Sequence, residues 1–348
     1  MLRILALVVT AAVGAQDAAP AATPVKPVTA IIEAFRTHDI VALSDAHGNR
    51  QSQLFLEALV RDPRFPTVAN DIVWESGNAR YQDRVDRFVR GEPVAEAALR
   101  EVWTETTIAN EIPVDEAFFR TVREVNAKLP REQQIRVLLG DPPIDWSAVK
   151  TREDHFNFLA MRATYPAALV QVEVLAKRRR ALIVYGQLHF QRQNLMTNLV
   201  MDDRRAQTIV SLLERNTPAR IFTVWQFSDE LSKVQADALT WPAPSIAKVR
   251  GTRLGAADMA QLTPTRGRMG MRDGGLVPIP EAEWRKLAVE DQLDAVLYLG
   301  RQSTLTTTTP SGARCAEPGY LEERLRRIAL TGIPAFEADR ARQLCRPK

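Results

Sequence analysis

Apolar and polar positions alternate along this chain in long blocks, and five short apolar runs each stop at a residue with chemistry to offer. Ile40–Leu43 runs into Ser44, Asp45, Ala46, His47 and Gly48. Ile72–Trp74 runs into Glu75, and Ile135–Leu139 into Gly140 and Asp141. Ala181–Tyr185 is followed by Gly186, Gln187, Leu188 and His189, and Ile221–Trp225 by Gln226. Short continuous apolar runs suit strands buried on both faces. Between them lie stretches of helical period: 28–37, 52–61, 79–90, 94–102, 114–128, 151–179 and 206–215. Within 151–179, Pro166 should kink or break the helix. A further strand is expected at Ala295–Leu299 and a closing helix over 319–329. Strands alternating with helices predict an α/β fold with a mostly parallel central sheet flanked by helices. In such a sheet the carboxyl ends of the strands share one edge, where ligands bind. The active site is therefore expected at that edge.

Residues 241–280 break the pattern with five prolines and six glycines. They read as an irregular insertion or a lid within a single domain spanning 28–348. Residues 16–27 are rich in Ala and Pro and read as a flexible lead-in. Before them, Arg3 precedes the apolar run Ile4–Val13, and small residues follow. That run is too short to span a bilayer. Residues 1–15 therefore read as a secretory signal peptide, with a retained anchor as the alternative. The expected location is periplasmic or secreted, with no transmembrane anchor after cleavage. Cys315 and Cys345, the only cysteines, can pair in an oxidising compartment. Such a loop is worth about 3 kcal/mol in the loop-entropy account.

Lys and Arg number 46 against 42 Asp and Glu, a formal charge of +4. Cleavage after residue 15 would remove Arg3 alone among the charges, leaving +3. The short basic spots Lys177–Arg180 and Arg324–Arg327 read as solvated helix faces, so no nucleic-acid partner is expected.

The candidate chemistry rests on the strand ends. His47 precedes a glycine turn into a helix, where the dipole should favour neutral imidazole. Neutral imidazole is a base or a metal ligand. His189 repeats the arrangement at a second strand end, and only four histidines exist. Glu75 closes an apolar strand and needs a partner or solvent. Asp45 lies beside His47. Arg162 is a candidate to bind an anionic or carbonyl group, and Asp141 is divided between substrate binding and turn-making. His38 and His155 read as structural, and Tyr81 and Gln82 as packed on the sheet. No G-x-S-x-G elbow, Walker loop or Rossmann glycine pattern is present. Two histidines with acids can activate water by general base catalysis, or His47, Glu75 and His189 could hold a divalent metal.

At these residues the chain resembles the erythromycin esterase, ChaN and Tiki/TraB superfamily. The resemblance lies in Ser44-Asp45-Ala46-His47-Gly48, then Glu75, then Gly186-Gln187-Leu188-His189. It covers roughly residues 30–230, and Asp294–Gly300 matches the last core strand. The chain departs from the motif at Ser44, where members carry Gly, and at Asp45, where they carry Glu. The resemblance implies one of three activities. The first is hydrolysis of an ester or lactone by water activated at the first histidine. The second is metal-dependent peptide cleavage, and the third is haem binding in iron uptake. The expectation is an exported hydrolase with His47 as base, Glu75 and His189 positioning water or metal, and Arg162 steadying a small-molecule or peptide substrate. A haem- or ligand-binding protein without turnover is the alternative, and a member that has lost activity is a third reading.

Overall fold

The computed structural model describes residues 19–108, 115–194, 207–227, 240–259, 262, 269–272, 275–278, 280–283, 286–308, 312–331 and 335–346. The expected signal peptide lies outside them. Among them no helix is long and apolar enough to cross a membrane.

The strands in chain order are β1 Ile40–Asp45, β2 Asp71–Asn78, β3 Arg136–Asp141, β4 Ala181–Gly186, β5 Ile221–Phe227, β6 Ser245–Lys248, β7 Met269–Arg272, β8 Gly275–Pro278 and β9 Ala295–Tyr298. Seven of them form one sheet in the order β3-β2-β4-β1-β5-β9-β6. All its pairings are parallel except β6 with β9. Helices cover both faces, as the mixed α/β expectation requires. On one face Val41, Leu43, Ile72, Trp74, Leu139, Leu182 and Val184 pack in a large core, with Trp74 stacked on Phe118 at 4.0 Å. On the other, Ile40, Ala42, Val73, Leu138, Ile183 and Tyr185 meet the helix Thr164–Val170 and the helix Ile209–Asn216. Burial on both faces is why these strands read as unbroken apolar runs rather than alternating ones.

The edge strand β3 is finished by a side chain. Gln82 accepts a hydrogen bond from the Leu139 amide at 2.8 Å and donates to the Val137 carbonyl at 2.7 Å. Two of the backbone groups that β3 would leave open are thereby paired. The stretch 151–179 does break, at 161–163, just ahead of Pro166. The helix Arg152–Ala160 ends there, and the proline falls in the first turn of Thr164–Val170, where its missing N–H costs nothing.

Three expectations need correction. The 241–280 stretch is not wholly irregular. It holds the antiparallel strand β6 and the antiparallel hairpin β7–β8. The described part of the lead-in, 19–27, is anchored rather than loose. Val25 and Ile246 exchange backbone hydrogen bonds of 2.8 and 3.0 Å, and Ala22 is buried. Of the two basic spots, Lys177, Arg178 and Arg180 are exposed as expected, whereas the second spot turns partly into the fold. Arg326 donates to the Trp146 and Val149 carbonyls, and Arg327 pairs with Glu105 at 2.8 Å. After the closing helix Tyr320–Thr331 comes a further helix, Ala335–Leu344, and Cys315 is bonded to Cys345.

Arg179 shows the same effect at the foot of the sheet. Asp71 has no exposed surface, and Arg136 and Arg179 each hold both of its oxygens at 2.6–3.0 Å. Removing the carboxylate would leave two guanidiniums facing each other. Asp71→Ala should therefore cost about 3 kcal/mol, at the lower end for a broken buried pair because both arginines keep some solvent. Urea unfolding measures this, and an unchanged midpoint would show the clamp to be dispensable.

Candidate active site

Three adjacent strands bring the polar strand ends together. In the order β2-β4-β1, β4 sits between its two partners, so Glu75, the segment after Gly186 and the segment after Asp45 emerge side by side. The register aligns Asp45 with Gly186. His47 and His189, 142 positions apart (189 − 47), thus meet over one carboxylate.

His47 is held at both nitrogens. Its Nδ1 lies 2.9 Å from Asp45 Oδ2, and its Nε2 lies 3.5 Å from Glu75 Oε2. Asp45 is itself fixed, since Ser52 Oγ donates to its Oδ1 at 2.9 Å. Gln226, at the end of β5, donates to Ser52 Oγ at 2.6 Å and to the Ser44 carbonyl at 2.7 Å. The helix Arg50–Arg61, which carries Ser52, begins at Asn49, whose side chain accepts from the Ser52 amide. The turn at Gly48 has φ +75°, the left-handed region that glycine enters freely. Side-chain exposure of His47 is 44 %, so the ring faces outward while its nitrogens face carboxylates.

Glu75 is the centre of charge. Its Oε2 accepts the Gly186 amide at 2.6 Å. Its Oε1 accepts from Arg162 Nη2 and lies 3.3 Å from His189 Nε2. A side chain at position 186 would put its Cβ 3.1 Å from His47 Nε2, so glycine is what lets this backbone amide approach the site. Arg162 arrives from the break between the two helices, 13 % exposed, with its Nε 3.9 Å from Asp141 Oδ1.

These charges set the protonation states. Burial works against a charged Glu75, but the positive groups of His47, His189 and Arg162 outweigh it and hold the carboxyl far below its ordinary range. Burial likewise works against a charged His47. Glu75, the Asp45 hydrogen bond and the Asp45 charge overcome it and raise the imidazole to about 9. The expectation that a helix dipole keeps His47 neutral is therefore reversed: two full carboxylate charges outweigh the half-charge of a helix end. Asp141 is pushed up to about 7 by burial, against Arg162 and Thr107.

All the residues singled out at strand ends converge, but in different capacities. Asp141 is buried, and Thr107 donates to it from both its amide (2.7 Å) and its hydroxyl (2.5 Å). It reaches Arg162 rather than open space, so direct substrate binding by Asp141 does not match the geometry. His155 is structural, bonding the Thr107 carbonyl at 2.8 Å and stacking on Trp146. His38 bonds the Ala34 carbonyl at 3.0 Å, away from the site. Ser52, Thr107 and Tyr185 were not legible as site residues, because nothing in their local sequence distinguishes them. Only Gln226 had a signal, as the end of an apolar run.

The set also fails as a metal site. Both oxygens of Glu75 are occupied, and the Arg162 guanidinium sits where a dication would be repelled. Among the described residues, no group of three or more His, Cys, Asp or Glu is arranged to hold a metal ion. The divalent-metal set of His47, Glu75 and His189 is corrected accordingly. What remains is an ion-pair cluster around an outward-facing imidazole, suited to proton transfer.

No protein-family model and no curated protein matches the chain. Solved structures do. A succinoglycan biosynthesis protein is similar over 80 % of this chain and 94 % of that one, at 9 % identity and a TM-score of 0.55. An erythromycin esterase mutant in its open conformation is similar over 78 % and 92 %, at 11 % identity and a TM-score of 0.47. ChaN of Campylobacter jejuni, shown with cofacial haem, is similar over 57 % and 85 %, at 11 % identity and a TM-score of 0.35. At these identities the likeness is one of fold alone.

Proposed function

We propose that the protein is an exported hydrolase that activates water at His47 to cleave an ester or lactone. The observation that carries this reading is the His47 ring, clamped between Asp45 at Nδ1 and Glu75 at Nε2 with its outer edge open. Asp45 accepts the Nδ1 proton and so leaves Nε2 as the proton acceptor. When Nε2 takes a proton from water, the imidazolium forms between two carboxylates already in place. Such preorganised charge needs no rearrangement as the reaction proceeds. His189 and the Gly186 amide keep Glu75 in position, and Arg162 is the cation nearest to an incoming carbonyl oxygen. No step calls on a metal. The disulfide between Cys315 and Cys345 supports an oxidising compartment and hence export.

A panel of aryl and alkyl esters and lactones, assayed with chelator present, tests the proposal. Turnover of none of them above the buffer rate would end it. Haem binding without turnover gains no support from the site geometry. A Soret shift on haem titration, with no hydrolysis, would put that reading in its place.

The same charges that make His47 a strong base make its free form scarce at neutral pH. The logarithm of kcat/KM should rise with unit slope across the neutral range and level off at about pH 9. A plateau starting at the ordinary histidine value of 6.5 would show that Glu75 and Asp45 do not act on the reacting imidazole.

A further inference from the structure

Tyr185 is 1 % exposed, and its hydroxyl is buried without a hydrogen-bond partner. An unpaired buried hydroxyl lowers stability, so its presence in the core calls for a use. Its position suggests one. The pairing of Trp74 with Val184 puts Tyr185 beside Glu75 on the same face of the sheet. From there the ring crosses β2 toward β3. A Cβ built on Gly140 would fall 1.8 Å from the Tyr185 hydroxyl, so glycine stands at the one place where the oxygen rests. The ring meets His189 edge to face at 5.4 Å. The phenol lies within electrostatic reach of Glu75, Asp141 and Arg162. Burial and the neighbouring carboxylates keep it a protonated donor, well above its ordinary range.

In this arrangement Arg162 serves Glu75 and faces Asp141. On the hydrolase reading, Arg162 turns to a carbonyl oxygen or to the carboxylate product. Both acids then lose their guanidinium. Asp141 keeps two donors from Thr107. Glu75 keeps only the Gly186 amide and the two histidines, of which His47 is the one that takes up the proton.

We propose that Tyr185 is a reserve hydrogen-bond donor for Glu75, idle while Arg162 holds that carboxylate and engaged when Arg162 turns to the substrate. The proposal rests on the reading of Arg162 as the substrate-facing cation. Tyr185 is then a positioning residue: it holds Glu75, and through it His47, during the time the arginine is away.

The test is a four-protein cycle of the native chain, Tyr185→Phe, Arg162→Met and the double variant, followed by urea unfolding and by ring NMR of His47. In the native background Tyr185→Phe should leave the unfolding midpoint unchanged or raise it, and leave the His47 titration where it was. In the Arg162→Met background the same change should lower the midpoint and move the His47 titration upward, because Glu75 has lost its last substitute donor. Equal shifts in both backgrounds would overturn the proposal. So would a lower midpoint for Tyr185→Phe alone, since the hydroxyl would then already be paired. That second result needs no Arg162 variant to fold. Neither readout requires turnover, so failure here and failure to find a hydrolysed ester are separate outcomes.

Discussion

Replacing His47 with alanine should lower kcat/KM for ester hydrolysis by about 10²–10⁴-fold, the usual contribution of a positioned general base. The protein itself should stay folded. The ring is 44 % exposed and packs no core, so its removal opens no cavity. Glu75 would still be held by Arg162, His189 and the Gly186 amide. The loss should be confined to the chemical step, with kcat falling and KM little changed. It should also remove the alkaline rise of the pH–rate profile, because the group that titrates at about 9 is gone. Steady-state kinetics of the purified variant across pH 6–10 are the measurement. A variant as fast as the native protein, or one that is slow but keeps the alkaline rise, would assign the proton transfer elsewhere.

Glu75→Ala should damage stability as well as activity. The carboxylate is buried at the meeting point of one arginine and two histidines. Removing it leaves Arg162, 13 % exposed, opposite His47 with no anion between them. Breaking a buried pair in this way costs about 3–5 kcal/mol, mostly from the charge left behind. The pH dependence of folding gives an independent check. Glu75 has a depressed pKa in the folded state, so its contribution is present above its ordinary value of 4.5 and is lost as the medium becomes strongly acidic. His47 has a raised pKa, so its contribution is complete below 6.5 and is lost as pH rises through about 9. The native protein should therefore be most stable between these limits and weaken on both sides. In Glu75→Ala the acid slope due to this residue disappears, and the alkaline slope shrinks because His47 returns toward its ordinary value. Chemical unfolding at a series of pH values resolves both. If the two proteins give parallel curves, Glu75 and His47 are not coupled in the folded state.

Asp45 illustrates how a departure from a motif is accommodated. Its side chain is one methylene shorter than the glutamate of the resembled family, yet it reaches His47 Nδ1 at 2.9 Å. The shorter carboxylate is steadied from behind by Ser52, and Ser52 by Gln226. The departure from the motif is thus met by a chain of two supporting side chains. Ser52 follows Asp45 by seven residues through the helix start at Asn49, whereas Gln226 is brought to them only by the end of β5.

Several features were legible because they depend on local physics. A run buried on both faces is apolar throughout, so β1 to β5 and β9 could be placed from Ile, Val and Leu alone. Pro166 marked a helix break within a few residues, since a pyrrolidine nitrogen cannot donate. Polar residues at the ends of apolar runs marked the rim that holds the site. The strands β6, β7 and β8 were hidden for the converse reason: they are four residues each, two of them form a peripheral hairpin, and the surrounding glycines and prolines dominate the composition.

By itself, then, the sequence determined where β1 to β5 and β9 run, and that His47, Glu75, Asp141 and His189 lie at or near the carboxyl ends of strands sharing one edge of a parallel sheet. Only the tertiary structure decided that β4 inserts between β2 and β1, and so that both imidazoles face the same carboxylate. It also decided that Arg162 pairs with Glu75, and that two carboxylates raise the His47 imidazole above its ordinary range. The physical reason is range. Strand and helix formation follow from neighbours a few positions away, whereas the charge state of a buried group follows from whichever ions the fold places within a few ångströms of it.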